Sequence, residues 1–497
     1  MNTKSSDYRL PELPQIPRRT VTVTDYGAVG DGFTLCTSAI QAAIDETHAS
    51  GGGKVVIPAG LWRTGPLTLR SHINLHIKSG AIVQFDSNPE LYRIIPSHFE
   101  GWAEWRCQSP IDGVNLTDVA ITGDGIWDGA GEGWRPVKRV KATQPQWEEL
   151  IQSGGVLDED GEIWWPSAEA RDGEVHCRHL RELILAQGSQ SVSREDYLPA
   201  KMFLRPNMVS LRSCKRVLLE GATFQNSPAW CLHPIGCEEV TIRNVQVRNP
   251  WYSQNGDGLD LESCSHALVE HNVFDVGDDA ICLKSGKDEE GRRLGMPCQF
   301  ITIRHCTVYH GHGGVVIGSE MSGGVKHVRV SDCVFSGTDI GLRFKSTRGR
   351  GGVVEDIVME RILMRDIIYE AVSFHLFYAG VEGSEGHDDT KYPVTEETPI
   401  FRDITLKDLV CGGAETALLV NGLPEMPLSN LHVENFRAAS RKGIVLRYGD
   451  GITFNQVELQ THQQPQLTAH NCCNVTWNGD PILSASGTEA ESIQSLS

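Results

Sequence analysis

From Leu67 onward the chain consists of short apolar runs, four to six residues long, separated by Gly, Asn, Asp and Ser. Runs of this length with turn-forming residues between them are typical of β-strands. Clear examples lie at 72–77, 81–85 and 119–127. Upstream, the pattern predicts a strand at 21–28 and a short amphipathic helix at 38–47, for which Ser38 is a candidate N-cap. One further helix is predicted at 179–187, so the pattern indicates a mainly β fold with an N-terminal capping helix.

One strand pattern recurs along the chain with a period of about 20 to 30 residues. Phe224 and Val247, which end two successive copies, are 23 residues apart, and Val247 and Phe274 are 27 apart. The copies lie at 217–224, 240–247, 268–274, 301–308, 328–335, 357–364 and 404–410. A β-rich period without intervening helices indicates a solenoid in which each repeat forms one coil. The LxxLxL spacing of leucine-rich repeats is missing, and a propeller would need a period of roughly 40 to 45 residues, so the predicted fold is a single-stranded parallel β-helix.

A long acidic segment rich in tryptophan interrupts this rhythm between residues 128 and 204. Segments of this kind are more often a lid or a wall than a second domain. We therefore expect one β-helix domain at 21–483 that carries the insertion at 128–204, preceded by a polar leader at 1–20. The small, polar tail at 484–497 is expected to be disordered.

The balance of charges limits the partners that the chain can bind. It carries 45 Lys and Arg against 64 Asp and Glu, a formal net charge of −19. This argues against a nucleic acid or an anionic membrane held by bulk electrostatics, so an anionic ligand must be bound by local cations. Residues 1–20 lack the apolar segment of a secretory signal, and no run is long enough to span a bilayer. A cytoplasmic protein is expected from the sequence as written, or a secreted or periplasmic one if a signal has been removed; homo-oligomerisation is left open.

The fourteen cysteines are spread along the chain, and several lie within apolar β-like runs. Buried free thiols are therefore expected rather than disulfides. The CxxC spacing of zinc sites is absent, and the adjacent Cys472 and Cys473 are a poor metal pair. The glycines at 51–54 resemble a phosphate loop without its Gly-Lys-Ser/Thr ending, which argues against nucleotide binding.

Residues able to do chemistry are concentrated between positions 255 and 345. Four motifs follow one another there: Asn255-Gly256-Asp257-Gly258, Gly277-Asp278-Asp279, Gly311-His312-Gly313 and Arg343-Phe344-Lys345. Asp257 and Asp278 are 21 residues apart, close to one coil, so we expect them nearly above one another. Carboxylates crowded together repel one another when all are ionised, so at least one should hold a proton near neutral pH. An acid and a water-activating carboxylate roughly 6.5 to 9.5 Å apart would suit inverting hydrolysis of a glycosidic bond.

Each of these residues also has a simpler interpretation. Aspartates beside glycines are common in turns, and clustered aspartates on a β-helix can bind Ca²⁺ through oxygen. Arg343 and Lys345 weaken the calcium interpretation, because their i, i+2 spacing places two cations on one strand face, which suits an anionic sugar better. His310 and His312 could suggest a metal, but we find no third ligand in the sequence. No metal or other cofactor is therefore predicted.

The four motifs, in this order, resemble the signature motifs of glycoside hydrolase family 28, the polygalacturonases. The resemblance includes the runs at 26–32, 51–60 and 69–77 and covers nearly the whole chain before the tail. It implies a right-handed β-helix of the pectin-lyase-like type, in agreement with general connection rules. It also implies metal-independent, inverting hydrolysis of α-1,4-linked galacturonate in pectate or oligogalacturonides. Gly256 and Phe344 stand where the family commonly has Thr and Ile, but both lie between the functional positions.

The resemblance also implies a role for each motif residue. Asp278 is expected to be the general acid, and Asp257 and Asp279 the pair that activates water. His312 would support the protonation of the acid or bind sugar. The residues expected to contact substrate are Arg343 and Lys345, which would hold its carboxylate, Asn255, which would shape the site, and Tyr378, which would touch the sugar.

Three further runs, at 164–166, 227–230 and 318–324, resemble the bacterial exo-acting branch of that family. Exo action requires one end of the cleft to be closed, and the insertion at 128–204 is the expected wall. The expected product is galacturonic acid released from the non-reducing end. Three alternatives remain: a relative acting on rhamnogalacturonan or xylogalacturonan, a β-helical pectate lyase, and a carbohydrate-binding or tailspike-like protein.

Overall fold

The computed structural model describes residues 9–378, 388–483 and 491–493. Among these residues, two long sheets of 13 and 23 strands wind around a common core. The 13-stranded sheet contains Leu67–Thr68, Ile111–Val114, Val209–Arg212, Leu232–Ile235, Leu259–Glu262, Asp279–Lys284, Gly313–Ile317, Leu342–Lys345, Glu370–His375, Thr416–Asn421, Lys442–Arg447, Leu467–His470 and Glu491–Ile493. Its strands pair in parallel in chain order, except for the last, which is antiparallel.

The 23-stranded sheet supplies the remaining sides of the coils. Its strands are Thr20–Thr22, Asp31–Leu35, Gly53–Ile57, Gly60–Thr64, Ile73–Ile77, Ala81–Phe85, Thr117–Gly123, Ile126–Asp128, Lys215–Glu220, Thr223–Gln225, Glu238–Arg243, Gln246–Arg248, Ser265–Glu270, Val273–Asp275, Cys298–Arg304, Thr307–Val308, Val325–Ser336, Val353–Arg365, Ile400–Cys411, Leu428–Ser440, Gly449–Thr461, Val475–Trp477 and Asp480–Leu483. The predicted right-handed parallel β-helix is therefore confirmed.

Apolar side chains one coil apart form ladders inside the solenoid. The ladder that runs through the sequence repeats joins, in register, Val217, Val240, Ala267, Ile301, Val328, Ile357 and Ile404. All seven are at most 1% exposed. A single coil could not remove these side chains from water, so burial requires stacking, and this is why the apolar pattern repeats once per coil. All fourteen cysteines are free and all but Cys473 are buried, as expected.

Helices lie at the N-terminal end and in the segments between coils. They are Thr37–Ala49, Gln144–Gln152, Ala168–Gln187 and Asp288–Leu294, with short 3-10 turns at Val23–Tyr26, Pro89–Leu91, Gly131–Gly133, Arg139–Lys141, Ser189–Ser191 and Arg194–Ala200. No described helix has the length and apolar character that crossing a membrane requires.

Several predicted boundaries are wrong. The strand expected at 21–28 is only Thr20–Thr22, because the chain turns into a 3-10 helix at once, and the run at 119–127 is split by a turn at Asp124. Ser38 is not a cap, since the first helix begins at Thr37 and Cys36 precedes it. The helix expected at 179–187 begins much earlier, at Ala168, where the hydroxyl of Ser167 accepts the N–H of Ala170.

The insertion at 128–204 has a small sheet of its own, made of Val137–Lys138, Val156–Leu157 and Ile163–Trp165. Trp147 and Trp164 pack with Val137 in a cluster that Tyr252 of the solenoid touches. Apolar contact thus attaches the insertion to the coils. Of the tail, the structure describes the strand Glu491–Ile493 alone, so the disorder expected for the other residues and the domain boundaries stay predictions.

A second excursion, the hairpin Ile94–Phe99 and Trp102–Cys107, covers part of the outer face of the 13-stranded sheet. Phe99 packs on Trp230, and a side chain at Gly101 would collide with Lys287. Polar residues of the neighbouring strands are buried as well: His233, Asp260, Glu262 and Lys284.

Candidate active site

The three aspartates of the first two motifs come together at the start of neighbouring strands of the 13-stranded sheet. One oxygen of each lies within 4.8 Å of the others. Asp257 is 3% exposed and Asp279 1%, whereas the side chain of Asp278 is 20% exposed. These nearest oxygens lie closer together than the roughly 6.5 to 9.5 Å expected between the carboxyl groups, because Asp278 and Asp279 are adjacent and coils stack at about 4.8 Å.

The register of the strands also differs by one residue from the expected one. Leu259 pairs with Ile281, an offset of 22 residues rather than 21. The N–H of Gly258 accordingly donates to the carbonyl of Asp279 at 2.9 Å. Asp257 therefore lies across from Asp279, and Asp278 stands beside that pair at the corner where the strand begins.

Two cations from the fourth motif neutralise Asp279. Lys345 Nζ donates to Asp279 Oδ2 at 2.7 Å, and Arg343 approaches Oδ1 at 3.4 Å. Both cations come from the strand Leu342–Lys345, where the i, i+2 spacing puts them on one face as predicted. Burial alone would raise the pKa of Asp279, but these two cations hold it below its ordinary value.

His312 and Asp278 form a second pair. His312 Nδ1 lies 3.1 Å from Asp278 Oδ1, and the backbone N–H of His312 donates to the carbonyl of Asp278 at 2.9 Å. Gly311 permits this approach, since a Cβ there would lie 2.8 Å from the same carbonyl oxygen. Burial would raise the pKa of Asp278, but His312, Lys345 and Lys141 together lower it.

Asp257 has the opposite electrostatic environment. Burial and the neighbouring charges of Asp278 and Asp260 raise its pKa well above the ordinary value. Among the described residues, Asp257 Oδ1 has no hydrogen-bond partner. Asp260 is likewise fully buried, and its pKa is raised well above the ordinary value by burial. In the free protein the shared proton expected from the sequence is thus favoured on Asp257 and Asp260 rather than on Asp278.

Tyr378 and Asn255 contact different cations of the site. The Tyr378 ring centre lies 5.0 Å from Lys345 Nζ and 5.5 Å from Arg343 Cζ, so the tyrosine covers the two cations. Asn255 Oδ1 accepts from Arg205 at 2.9 Å. The eight residues singled out from the sequence therefore lie around one site.

The three carboxylates could also ligate a metal ion, since carboxylate oxygens suit Mg²⁺ or Ca²⁺. Asp279 is already paired with Lys345 and Arg343, however, and Asp278 with His312. Cations fixed around the cluster oppose a divalent ion and favour an anionic ligand.

Sequence reasoning missed several residues of the site. Lys141, from the insertion, lies 3.1 Å from His312. Lys284, buried beneath the ring of Trp230, lies 3.6 Å from Asp260 and 2.8 Å from Glu320. The sequence contains a signal for Lys284: it is a lone cation at the end of the apolar run 280–284, and a charge in that position is expected to be buried with a partner.

A cavity of about 410 Å³ opens beside Asn255, and neither Arg343 nor Lys345 lines it. The insertion supplies much of its wall, and the hairpin supplies another part. The charged residues among those that line it are Arg106, Lys138, Arg178, Arg181 and Arg205 against Glu100 and Glu174. In a chain with a net charge of −19, this is a local excess of cations.

Comparison with known proteins agrees with this architecture. The family model of glycosyl hydrolases family 28 matches residues 199–437. A probable polygalacturonase of Vitis vinifera is 29% identical over 478 residues, which cover 93% of this chain and 84% of the relative. An exo-poly-alpha-D-galacturonosidase of Dickeya chrysanthemi is 26% identical over 419 residues, covering 81% of this chain and 64% of that protein.

A solved structure of similar extent is the hyperthermoactive exopolygalacturonase from Thermotoga maritima. It superposes with a TM-score of 0.72 at 29% identity, over 98% of this chain and 97% of that one. The matched residues 199–437 include all four motifs and the carboxylate cluster that they build. The part of the chain that builds the site therefore matches glycosyl hydrolases family 28.

Proposed function

We propose that this protein hydrolyses α-1,4-linked galacturonate in pectate or oligogalacturonides and releases galacturonic acid from the non-reducing end. The observation that carries the proposal is the contact of Asp279 with Lys345 and Arg343, beside two further carboxylates. The carboxylates supply proton transfer, and the adjacent cations supply recognition of a uronate.

In this reaction Asp278 gives its proton to the glycosidic oxygen as the bond from that oxygen to the anomeric carbon breaks. The bonding electrons remain on the leaving oxygen. A water molecule adds to the anomeric carbon and loses its proton to Asp257 or Asp279. Hydrolysis therefore needs a protonated Asp278 and at least one ionised partner.

Substrate binding would move the shared proton to Asp278. In the free protein, cations lower the pKa of Asp278. A galacturonate carboxylate that pairs with Lys345 and Arg343 partly neutralises them and adds a negative charge nearby. Both effects raise the pKa of Asp278, so the acid would become protonated in the complex.

Exo action is supported by the cavity beside Asn255. Its walls come from the insertion and the hairpin, neither of which belongs to the repeating coils. Its cations, Arg178 and Arg181 among them, suit the carboxylate of a terminal galacturonate. We infer that these two segments close the cleft and admit a chain end.

The experiment is a product profile on defined, unesterified galacturonate oligomers without added metal. Reducing ends, product sizes and ultraviolet absorbance are followed together. Monomer from the first time point without absorbance supports the proposal, whereas mixed short oligomers contradict exo action. Absorbance of an unsaturated product would mean elimination, and activity on rhamnogalacturonan or xylogalacturonan alone would overturn the substrate.

A further inference from the structure

The insertion reaches the carboxylate cluster through one lysine. Lys141 ends the short turn Arg139–Lys141, which follows the strand Val137–Lys138. The N–H of Arg139 donates to the carbonyl of Glu162 at 2.8 Å and anchors the turn. Lys141 Nζ lies 3.3 Å from the carbonyl oxygen of Gly277 and 3.1 Å from His312 Nε2.

This contact determines where the ring proton of His312 must be. An ammonium group carries three hydrogens and no lone pair, so it can only donate. Lys141 forms a hydrogen bond with His312 Nε2 only if Nε2 carries no proton. The ring proton then resides on Nδ1, which is 3.1 Å from Asp278 Oδ1 and donates to it.

The same arrangement distinguishes the two oxygens of Asp278. Oδ1 accepts from the backbone N–H of Asp279 at 2.9 Å as well as from His312 Nδ1. An oxygen that accepts two hydrogen bonds is a poor place for a further proton. The proton of the acid is therefore placed on Oδ2.

We propose that Lys141 is a positioning residue of the hydrolytic site, which holds His312 in the Nδ1–H tautomer and so directs the proton of Asp278 to Oδ2. Oδ2 then gives that proton to the leaving glycosidic oxygen. The catalytic part of this inference rests on the proposed function, but the tautomer of His312 does not. It assigns to the insertion a second task besides forming a wall.

The charges around Asp278 come from several elements, and the pH dependence must include all of them. They are Lys141 from the insertion, His312 with Asp339 close by, Lys345 and Arg343, Asp257 and Asp260, the adjacent Asp279, and Tyr378. Removing Lys141 takes away one of the cations that lower the pKa of Asp278. The alkaline limb of the rate, where the acid loses its proton, should therefore move to higher pH.

The experiment compares the wild type with K141M, K141R and the control R139Q. Arg139 lies in the same turn, is half exposed and pairs loosely with Glu162 at 3.7 Å. For each protein, kcat and KM on trigalacturonate are measured across pH, and the thermal unfolding midpoint verifies the fold. The ¹⁵N spectrum of labelled histidine, with H312N to assign the signal, reports which ring nitrogen is protonated.

We expect K141M to lower kcat on the order of 10- to 100-fold, since a misplaced acid loses part of its catalytic factor. Its alkaline limb should move upward and its His312 signal should become a mixture of tautomers. K141R should restore the position of the limb, and R139Q should match the wild type. An unchanged limb and an unchanged His312 spectrum in a folded K141M would overturn the inference. If the wild type hydrolyses no galacturonate, the proposed function fails, while the spectrum still tests the tautomer.

Discussion

Lys345 Nζ lies 2.7 Å from Asp279 Oδ2, and neither side chain is more than 7% exposed. Two buried charges in such contact depend on one another, because either alone would be uncompensated. A substrate carboxylate that binds Lys345 must therefore share it with Asp279. Under the proposed function, the pair connects substrate recognition to the charge of the carboxylate cluster.

The variant K345M should abolish most of the activity. It removes one cation from the substrate site and leaves Asp279 with the longer contact to Arg343. Truncating one partner of a buried charge pair costs about 2–5 kcal/mol, so kcat/KM on trigalacturonate should fall by about 30- to 5,000-fold. The exposed Lys407, which pairs with Glu434 on the outer surface, offers the control K407M. Wild-type kcat/KM in K345M would contradict the role of this pair.

Asp278 and Asp257 can be distinguished by their dependence on the leaving group. Loss of a general acid should lower kcat by about 10²- to 10⁴-fold on trigalacturonate. An aryl galacturonide with a good leaving group needs little protonation, so D278N should be much less impaired on that substrate. D257N should be impaired on both, because activation of water is needed in each case. If D257N is the variant that the aryl substrate rescues, Asp257 is the acid.

How far the sequence predicts this molecule depends on whether a residue lies in the repeat. The solenoid converts spacing along the chain into stacking in space, so Asp257, Asp279 and Lys345 could be brought together from their motifs alone. The residue opposite Asp257 could not be predicted. With a coil of 21 residues it would be Asp278, but the coil has 22 residues and the residue opposite is Asp279. A difference of one residue is hidden by the variable corners between strands.

Residues outside the repeat were not predictable in this way. Lys141 lies 171 positions from His312, in a segment with its own small sheet. The hairpin of Ile94–Phe99 and Trp102–Cys107 likewise lies outside the repeat, so no period predicts where it packs on the coils. Their positions follow from apolar packing, such as that of Phe99 on Trp230, which no local pattern records.

The short distances between the carboxylates raise the question whether hydrolysis inverts or retains the anomeric configuration. Inverting enzymes generally separate their carboxyl groups by roughly 6.5–9.5 Å, but one oxygen of each aspartate lies within 4.8 Å of the others. We nevertheless expect inversion, because Lys345 and Arg343 neutralise Asp279 and make it a weak nucleophile. Proton NMR during the first minutes should show β-galacturonic acid before mutarotation. Initial α-anomer would mean retention and a covalent intermediate.

Arg178 tests the cation-rich cavity without disturbing a buried contact. Its side chain is 62% exposed and only loosely paired with Glu174 at 3.8 Å. R178M should raise KM for short oligomers a few-fold at low salt, about the effect of one exposed charge, and leave kcat unchanged. Arg194, elsewhere in the insertion, pairs with Glu195 and offers the control R194M. Equal KM values for R178M and R194M would mean that the substrate does not reach this cavity.

Asp260 should lower stability at neutral pH, although it lies in the middle of the site. Burial raises its pKa in the folded protein. In the unfolded chain Asp260 loses its proton near the ordinary pKa of aspartate, and water then solvates the carboxylate better than the folded protein can. The cost to folding is therefore absent at low pH, grows above the ordinary pKa of aspartate and levels off at the raised one. D260N removes the cost and should therefore raise the stability of the fold at pH 7.

At about pH 2.5, well below the ordinary pKa of aspartate, the two proteins should unfold at nearly the same temperature, because Asp260 is then protonated in both states. Thermal unfolding at the two pH values measures the difference directly. The same neutralising change at Asp403, an exposed corner residue, gives the control D403N, which should show no pH-dependent gain. If D260N is instead less stable than the wild type at pH 7, then the Asp260 carboxylate of the wild type is ionised at that pH and is stabilised by Lys284, 3.6 Å away. The shared proton would then belong to Asp257 alone.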